Sequence, residues 1–213
     1  MYDQHAPVIA AYARTKPEGL YRAALFAVLS IRRPTTGLPD AMTDVLAGNG
    51  GPHLFGWKAQ SYAFLTENKD ALWRAMLACE SNESAIFTMA SVPGLGIIKA
   101  AFVCQMFGFD VACLDSRNMA VQGRHTREYL TRGEARKRMP KFRHDVARYM
   151  AETRGRAREL WDDWCNAAGK TYGMTGEAIS QLHLDTIVPV SERLNLDACQ
   201  PMPCAGMREA IPF

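Results

Sequence analysis

Long apolar runs are absent from this sequence, because no stretch of eighteen apolar residues occurs among its 213 residues. A helix needs about 20 such residues to cross a bilayer, so the sequence predicts no membrane-spanning segment. The first residues also lack the charged and then apolar pattern of a secretory signal. We therefore expect a soluble, cytoplasmic protein with no membrane partner.

Metal-binding and disulfide patterns are missing as well. None of the six cysteines belongs to a Cys-x-x-Cys pair, and the five histidines lack metal-ligand spacing. Only Cys199 and Cys204 lie near the C-terminus, which is too few for an iron–sulfur cluster held there by four closely spaced cysteines. We expect free thiols in a reducing cell, no metal ion and no cofactor.

Strand-like alternation of apolar and polar residues is also lacking, and apolar residues recur instead at helical spacing. Asn68 and Thr175 are placed to cap helices, and Gly169 to end one. The chain after Pro189 should be irregular. The sequence predicts an all-α fold, with helices over residues 19–33, 40–46, 57–66, 69–80, 82–90, 97–107, 140–152, 154–168 and 176–186.

The densest signal lies in residues 91–101, which read Ser-Val-Pro-Gly-Leu-Gly-Ile-Ile-Lys-Ala-Ala. Pro93 sets φ at about −65° for a turn and cannot continue the helix before it. Gly94 and Gly96 tolerate positive φ and let another backbone approach closely. A helix that starts at Ile97 presents unpaired N–H groups at its positive end, which suits a phosphodiester. We predict a helical hairpin that binds a DNA backbone.

The run from Val92 to Gly96, followed by an apolar link and Asp115, resembles the helix-hairpin-helix superfamily of DNA glycosylases. The match covers residues 81–120 well and the rest of the chain only by its helical texture. The resemblance implies a two-lobed helical bundle, with a hairpin lobe over about residues 69–125 and the remaining helices in a second lobe. It also implies that Asp115 is a catalytic carboxylate in the cleft between them. The alternative is that Asp115 only caps a helix, because Asp is a strong N-cap residue.

Lys99 departs from the pattern of the resembled family. Bifunctional members carry a nucleophilic lysine two residues after the second glycine, and that position is Ile98 here. One residue turns a helix by about 100°, so we expect Lys99 to point elsewhere, with a phosphate contact as its first interpretation. A displaced nucleophile near the cleft and an ordinary surface lysine remain the alternatives. The resemblance thus implies an enzyme without a lyase step.

Positive charge is concentrated after Asp115. Residues 117–158 contain 13 Lys and Arg against 4 Asp and Glu, although the net charge of the whole chain is only +3. Such a surplus beside a hairpin favours a polyanionic partner. The predicted DNA-binding residues are Pro93, Gly94, Leu95, Gly96, Ile97, Lys99, Arg117, Asn118, Arg124 and Arg127.

The first functional expectation is a monomeric, monofunctional DNA N-glycosylase that flips a base out of DNA, because the charge that builds on the sugar is stabilised by a carboxylate. The second is a phage amino acid:DNA transferase of thymidine hypermodification, a glycosylase-like enzyme. It would use an amino acid or amine to displace pyrophosphate from an activated 5-hydroxymethyl pyrimidine. The third is a DNA-binding module without catalysis.

Overall fold

The computed structural model describes residues 4–124, 129 and 139–196, and within them the regular elements are helical, with no strand. The predicted all-α class is confirmed. A short 3-10 turn at Thr35–Gly37 precedes the third helix. The α-helices of the described residues are α1 (His5–Thr15), α2 (Pro17–Leu29), α3 (Leu38–Leu46), α4 (Trp57–Glu67), α5 (Lys69–Leu77), α6 (Asn82–Ala90), α7 (Ile97–Met106), α8 (Ser116–Val121), α9 (Met139–Thr153), α10 (Ala157–Tyr172), α11 (Gly176–Ile187) and α12 (Val190–Leu196).

The helix α2 is the centre of the fold. Ten of its thirteen residues are buried, which only a helix covered on all sides can achieve. It packs against α1, α3, α4, α5, α7 and α11. Its C-terminal end therefore lies deep in the molecule, where it delivers the residues that follow it to the candidate site.

Helix α2 ends at Leu29, four residues before the predicted end at Arg33. The ammonium group of Lys58, a buried residue of α4, donates to the carbonyl oxygens of Leu29 at 3.1 Å and Ile31 at 2.8 Å. A cation at the negative end of a helix satisfies carbonyls that have no partner in the helix. Burial lowers the pKa of Lys58 to about 8, and the nearby charges of Arg33 and Lys99 act in the same direction.

The hairpin helices α6 and α7 pack against each other. Ser81 caps the start of α6, because its hydroxyl accepts from the backbone N–H of Ser84 at 3.1 Å. Asn68 stands at the N-cap position of α5, as predicted, but its side chain does not cap that helix. Its side-chain amide instead donates to the carbonyl oxygen of Phe64 at 2.9 Å and so closes the end of α4.

Of the last three described helices, α11 agrees with its predicted bounds to within one residue, whereas α10 and α12 differ from the prediction. Gly169 lies inside α10 and does not end it. A Cβ there would stand 2.5 Å from the carbonyl oxygen of Met174, where the chain folds back, so this position requires a glycine. The helix ends at Gly173, whose φ of 66° is left-handed. Residues 190–196 are helical, although the chain after Pro189 was predicted to be irregular, and residues 197–213 of that prediction lie outside the described residues. Arg193 of α12 donates to the carbonyl oxygen of Val188 at 3.0 Å and so fastens this helix to the end of α11.

The buried apolar side chains form one hydrophobic cluster that reaches from Ile9 to Leu196. The division into a hairpin lobe over residues 69–125 and a second lobe stays a prediction. In the part of the chain that the structure describes, no helix combines the length and apolar character required to span a membrane.

Candidate functional site

Asp115 stands at the start of α8, where the apolar link from residue 111 ends. Its Oδ1 accepts hydrogen bonds from the backbone N–H groups of Arg117 at 2.9 Å and Asn118 at 3.4 Å. The predicted helix cap is therefore present. Asp115 is nevertheless partly exposed and lines a cavity, so its carboxylate caps the helix and also remains accessible from the cavity.

The second carboxylate oxygen of Asp115 is held by Trp164 of α10. The indole Nε1 donates to Oδ2 at 2.7 Å, a short hydrogen bond to a charged acceptor. Sequence reasoning missed this contact. The helical spacing of a tryptophan indicates that its ring is buried, but it does not indicate what its N–H group binds. Here the partner, Asp115, lies 49 residues away in the sequence.

The link before Asp115 is fixed by buried hydrogen bonds. Tyr149 of α9 accepts from the N–H of Leu114 at 2.7 Å and donates to the carbonyl oxygen of Ala112 at 2.6 Å. Asn118 donates through its side-chain nitrogen to the carbonyl oxygens of Cys113 at 2.7 Å and Leu160 at 3.0 Å. Asn118 is only 1% exposed, so the predicted contact with DNA is wrong for its side chain. Its role is to hold the chain that presents Asp115.

The cavity beside Asp115 has a volume of about 30 Å3. That is room for one or two water molecules, so a larger ligand enters only when side chains at its wall move. The charged part of the lining consists of the single carboxylate of Asp115 and three cations, Arg33, Lys99 and Arg117. Whatever binds here meets a net positive surface.

The guanidinium group of Arg117 is held by aromatic side chains. It donates to the hydroxyl of Tyr172 at 2.8 Å and lies 5.3 Å from the ring centre of Trp164. Such stacking keeps an arginine in place and leaves several of its N–H groups available. Arg117 was predicted to contact DNA, and the structure places it on the cavity wall beside Asp115.

Lys99 also lines the cavity, so of its three interpretations the structure brings forward the position near the cleft, which was not the first one. Its Nζ donates to the hydroxyl of Ser30 at 3.1 Å and lies 5.1 Å from the ring centre of Phe102. In the first turn of α7, a long side chain leans back toward the helix N-terminus, and the end of α2 lies there. The amine is therefore a cavity group rather than a surface phosphate contact.

The cavity contains one buried histidine, His183 of α11. Its Nδ1 lies 2.7 Å from the carbonyl oxygen of Ile179, which can only accept, so Nδ1 carries the proton. Burial, with the charges of Lys99 and Arg117, lowers the pKa of His183 to about 4. The ring is therefore neutral at pH 7. Burial likewise raises the pKa of the Cys113 thiol on the cavity wall to about 12, and the carboxylate of Asp115 adds to this, so the thiol is uncharged.

The two hairpin glycines differ in backbone conformation: Gly94 takes the left-handed conformation that the sequence suggested, whereas Gly96 has a φ of −88°, which any residue can adopt. Gly94 is exposed and has a φ of 81°, which a side chain would strain. Trp57 of α4 covers one side of this glycine, and the Ser61 hydroxyl donates to the carbonyl oxygen of Pro93. Leu95 and Ile97 are 0% and 1% exposed, so only their backbone can reach a partner.

The basic stretch is described only in part. Arg124 forms an ion pair with Glu152 at 2.6 Å, so its charge is already balanced within the protein. Arg127 lies outside the described residues. Lys141 and Arg143 of α9 are exposed, and Phe142 between them packs on Phe87 of α6 with ring centres 5.4 Å apart. Part of the basic surface thus flanks the helix that leads into the hairpin.

Comparisons with known proteins leave the family open. No protein-family model matches the chain, and no curated protein or solved structure matches it significantly. The function must therefore be argued from the cavity, the hairpin and the charges around them.

Proposed function

We propose that the protein modifies a base in DNA by group transfer, with Asp115 as its catalytic carboxylate. The observation that carries this proposal is the charge of the cavity, in which Asp115 faces three cations. Arginine and lysine side chains that converge on a small volume are suited to phosphate or carboxylate groups.

The same charges disfavour simple cleavage of a glycosidic bond. That reaction builds positive charge on the sugar, and like charges about 6 Å apart repel by about 3 kcal/mol at an effective dielectric constant of 20. Arg33, Lys99 and Arg117 would oppose this charge, and Asp115 alone would offset it. A reaction that releases an anion gains from the same three cations.

The resembled amino acid:DNA transferases catalyse such a reaction. The nitrogen lone pair of an amine attacks the methylene carbon of a pyrophosphorylated 5-hydroxymethyl pyrimidine. The C–N bond forms while the C–O bond breaks, and the bonding electron pair leaves with pyrophosphate. In this protein Asp115 would accept the proton lost by the amine, and the cations would hold the leaving pyrophosphate.

Three features support DNA as the carrier of the base. Gly94 stands exposed at the tip of the hairpin, and exposed lysine and arginine residues of α9 lie beside α6. Trp57, whose ring lies against Gly94, is 36% exposed, and Phe55, two residues earlier in the chain, is 61% exposed. Exposed aromatic rings beside a surface that binds a DNA strand are suited to stacking with an unpaired base. The small volume of the cavity means that the base enters after side chains rearrange.

A DNA N-glycosylase is the second candidate. It is favoured by the position of Asp115, whose side chain both caps a helix and faces a cavity, as the resemblance implies for a glycosylase. The two candidates share the hairpin and the extruded base, and they differ in the product.

The deciding experiment compares the products of the wild-type protein and Asp115→Asn. Duplex DNA that carries pyrophosphorylated 5-hydroxymethyluracil is incubated with glycine or other amines, and nucleosides are analysed by mass spectrometry. We expect an amine adduct and free pyrophosphate with the wild type. Asp115→Asn should retain DNA affinity and lose turnover. Asp110→Asn is the matched control, because Asp110 is exposed, does not line the cavity, and uses its carboxylate to accept from the N–H of Gly155.

Abasic sites on DNA with damaged bases, without any adduct, would support the glycosylase instead. If neither product forms and Asp115→Asn binds DNA like the wild type, only a non-catalytic DNA-binding module is left.

A further inference from the structure

Arg33, one of the three cavity cations, is the first member of a hydrogen-bonded chain that continues through the side chains of His53 and Asp44. Its Nη2 lies 2.8 Å from Nδ1 of His53, and Nε2 of His53 lies 2.7 Å from Oδ2 of Asp44. Arg33 follows the end of α2, Asp44 belongs to α3, and His53 belongs to the glycine-rich segment between α3 and α4. The reaction itself does not require these contacts.

The direction of the chain is determined by the chemistry of arginine. A guanidinium group donates hydrogen bonds and never accepts them, so Nδ1 of His53 must accept from Arg33. The single proton of the neutral imidazole then lies on Nε2, which donates to Asp44. The histidine is thereby fixed in one tautomer and one orientation by partners on both sides.

Such a chain meets a physical need of this cavity. Arg33 shares the wall with Lys99 and Arg117, and the buried Lys58 is near enough for its pKa to be lowered by Arg33. Repulsion among these cations favours a guanidinium that swings into solvent. His53 provides an acceptor and Asp44 a compensating negative charge, so together they keep Arg33 at the wall.

Arg33 keeps most of its binding capacity in this arrangement. Only one of its N–H groups has a hydrogen-bond partner among the described residues, namely the one that donates to His53. A guanidinium has five N–H donors in a planar fork that fits two phosphate oxygens at once. The Ser30 hydroxyl and the Lys99 amine, hydrogen-bonded to each other at 3.1 Å, line the same cavity.

We propose that Arg33 binds the leaving diphosphate group and that His53 and Asp44 are the positioning residues that hold it for this task. This inference rests on the proposed transfer function, because it assigns the anionic part of that substrate to one residue. It adds a specificity determinant that sequence reasoning did not single out.

The test measures binding of inorganic pyrophosphate by titration calorimetry. Arg33→Met should weaken binding by at least tenfold, and His53→Leu should weaken it by about tenfold, which corresponds to the loss of one hydrogen bond to a charged group. His53→Asn should restore most of the affinity, because the Asn oxygen lies close to the position of Nδ1. Asp44→Asn should weaken binding, whereas Asp40→Asn, which changes an exposed carboxylate one turn earlier in the same helix, should not.

A second readout does not depend on any ligand. Nitrogen-15 NMR of the histidine rings should show His53 as the Nε2–H tautomer in the wild type, and Arg33→Met should remove this preference. Far-UV circular dichroism of each variant checks that it is folded. If His53→Leu bound pyrophosphate as tightly as the wild type, or if His53 were the Nδ1–H tautomer in the wild type, the positioning role would be overturned. The proposed transfer function would not be affected by either result.

The opposite failure is recognisable as well. A wild-type protein that modifies no DNA but binds pyrophosphate through Arg33 and His53 would contradict the proposed function and keep the anion site. A wild-type protein that does not bind pyrophosphate would overturn the assignment of Arg33 to the leaving group.

Discussion

The contact between the hairpin and α4 leads to a prediction that needs no substrate. In Gly94→Ala, the new Cβ would stand 2.2 Å from Cε3 of the Trp57 ring and 2.6 Å from its Cζ3, at a backbone φ of 81°. The left-handed conformation costs an alanine about 1–2 kcal/mol, and overpacking costs about 1–3 kcal/mol. We expect the free energy of unfolding to fall by about 2–5 kcal/mol.

A matched glycine separates the two contributions. Gly48 has nearly the same φ, 84°, but an added Cβ there would meet nothing within 4 Å. Gly48→Ala should therefore lose only the backbone part, about 1–2 kcal/mol. Both substitutions also stiffen the unfolded chain similarly, so that effect cancels in the comparison.

The assay is urea unfolding followed by far-UV circular dichroism, which does not depend on tryptophan emission. Adding Trp57→Ala to Gly94→Ala should recover the steric part as a favourable coupling energy of about 1–3 kcal/mol. Equal destabilisation in Gly94→Ala and Gly48→Ala, with no coupling to Trp57, would refute the argument that Trp57 presses on the hairpin.

Two further predictions concern the site. Trp164→Phe removes the donor to Oδ2 of Asp115, a hydrogen bond to charge worth about 1.5–3 kcal/mol, so kcat should fall by roughly 10-fold to 100-fold. Trp161→Phe is its control, because that indole donates to Ser180 at 3.1 Å, and it should reduce stability without changing kcat; equal loss in both variants would contradict the role of Trp164. The pKa of His183 is lowered from 6.5 to about 4, so the unfolded chain binds the proton first as the pH falls. The contribution of neutral His183 to the free energy of unfolding is fully present above about pH 6.5. It decreases as the pH falls to about 4, by about 3 kcal/mol in all. His183→Phe should remove that part of the slope in urea unfolding measured between these pH values, and parallel curves for variant and wild type would count against it.

These predictions separate the parts of the site that differ in function. The Gly94 series tests the hairpin by stability alone, and the Trp164 pair tests the carboxylate by turnover. The anion-binding series at Arg33 tests the cationic wall by affinity. Because each series measures a different property, a failed prediction for one part of the site does not contradict the roles assigned to the other parts.

The amino-acid sequence by itself determined the local features of this protein. The bend from Pro93 to Gly96, the cap at Asp115 and the all-helical class depend on interactions within about four residues, which turn chemistry and periodicity express directly. One of the errors was local as well. Gly169 was expected to end a helix because nothing nearby revealed that Met174 folds back onto it.

Tertiary structure alone decided which residues meet at the cavity. Arg33 precedes Asp115 by 82 positions and Trp164 follows it by 49, and only the packing of α7, α8, α10 and α11 around the end of α2 brings them together. Lys99 is a second example. Its place in the sequence of α7 did not reveal that its amine would reach Ser30 at the end of α2, because Ser30 lies far from it along the chain. Long-range contacts of this kind depend on the shape of the whole core, and no short stretch of sequence encodes that shape.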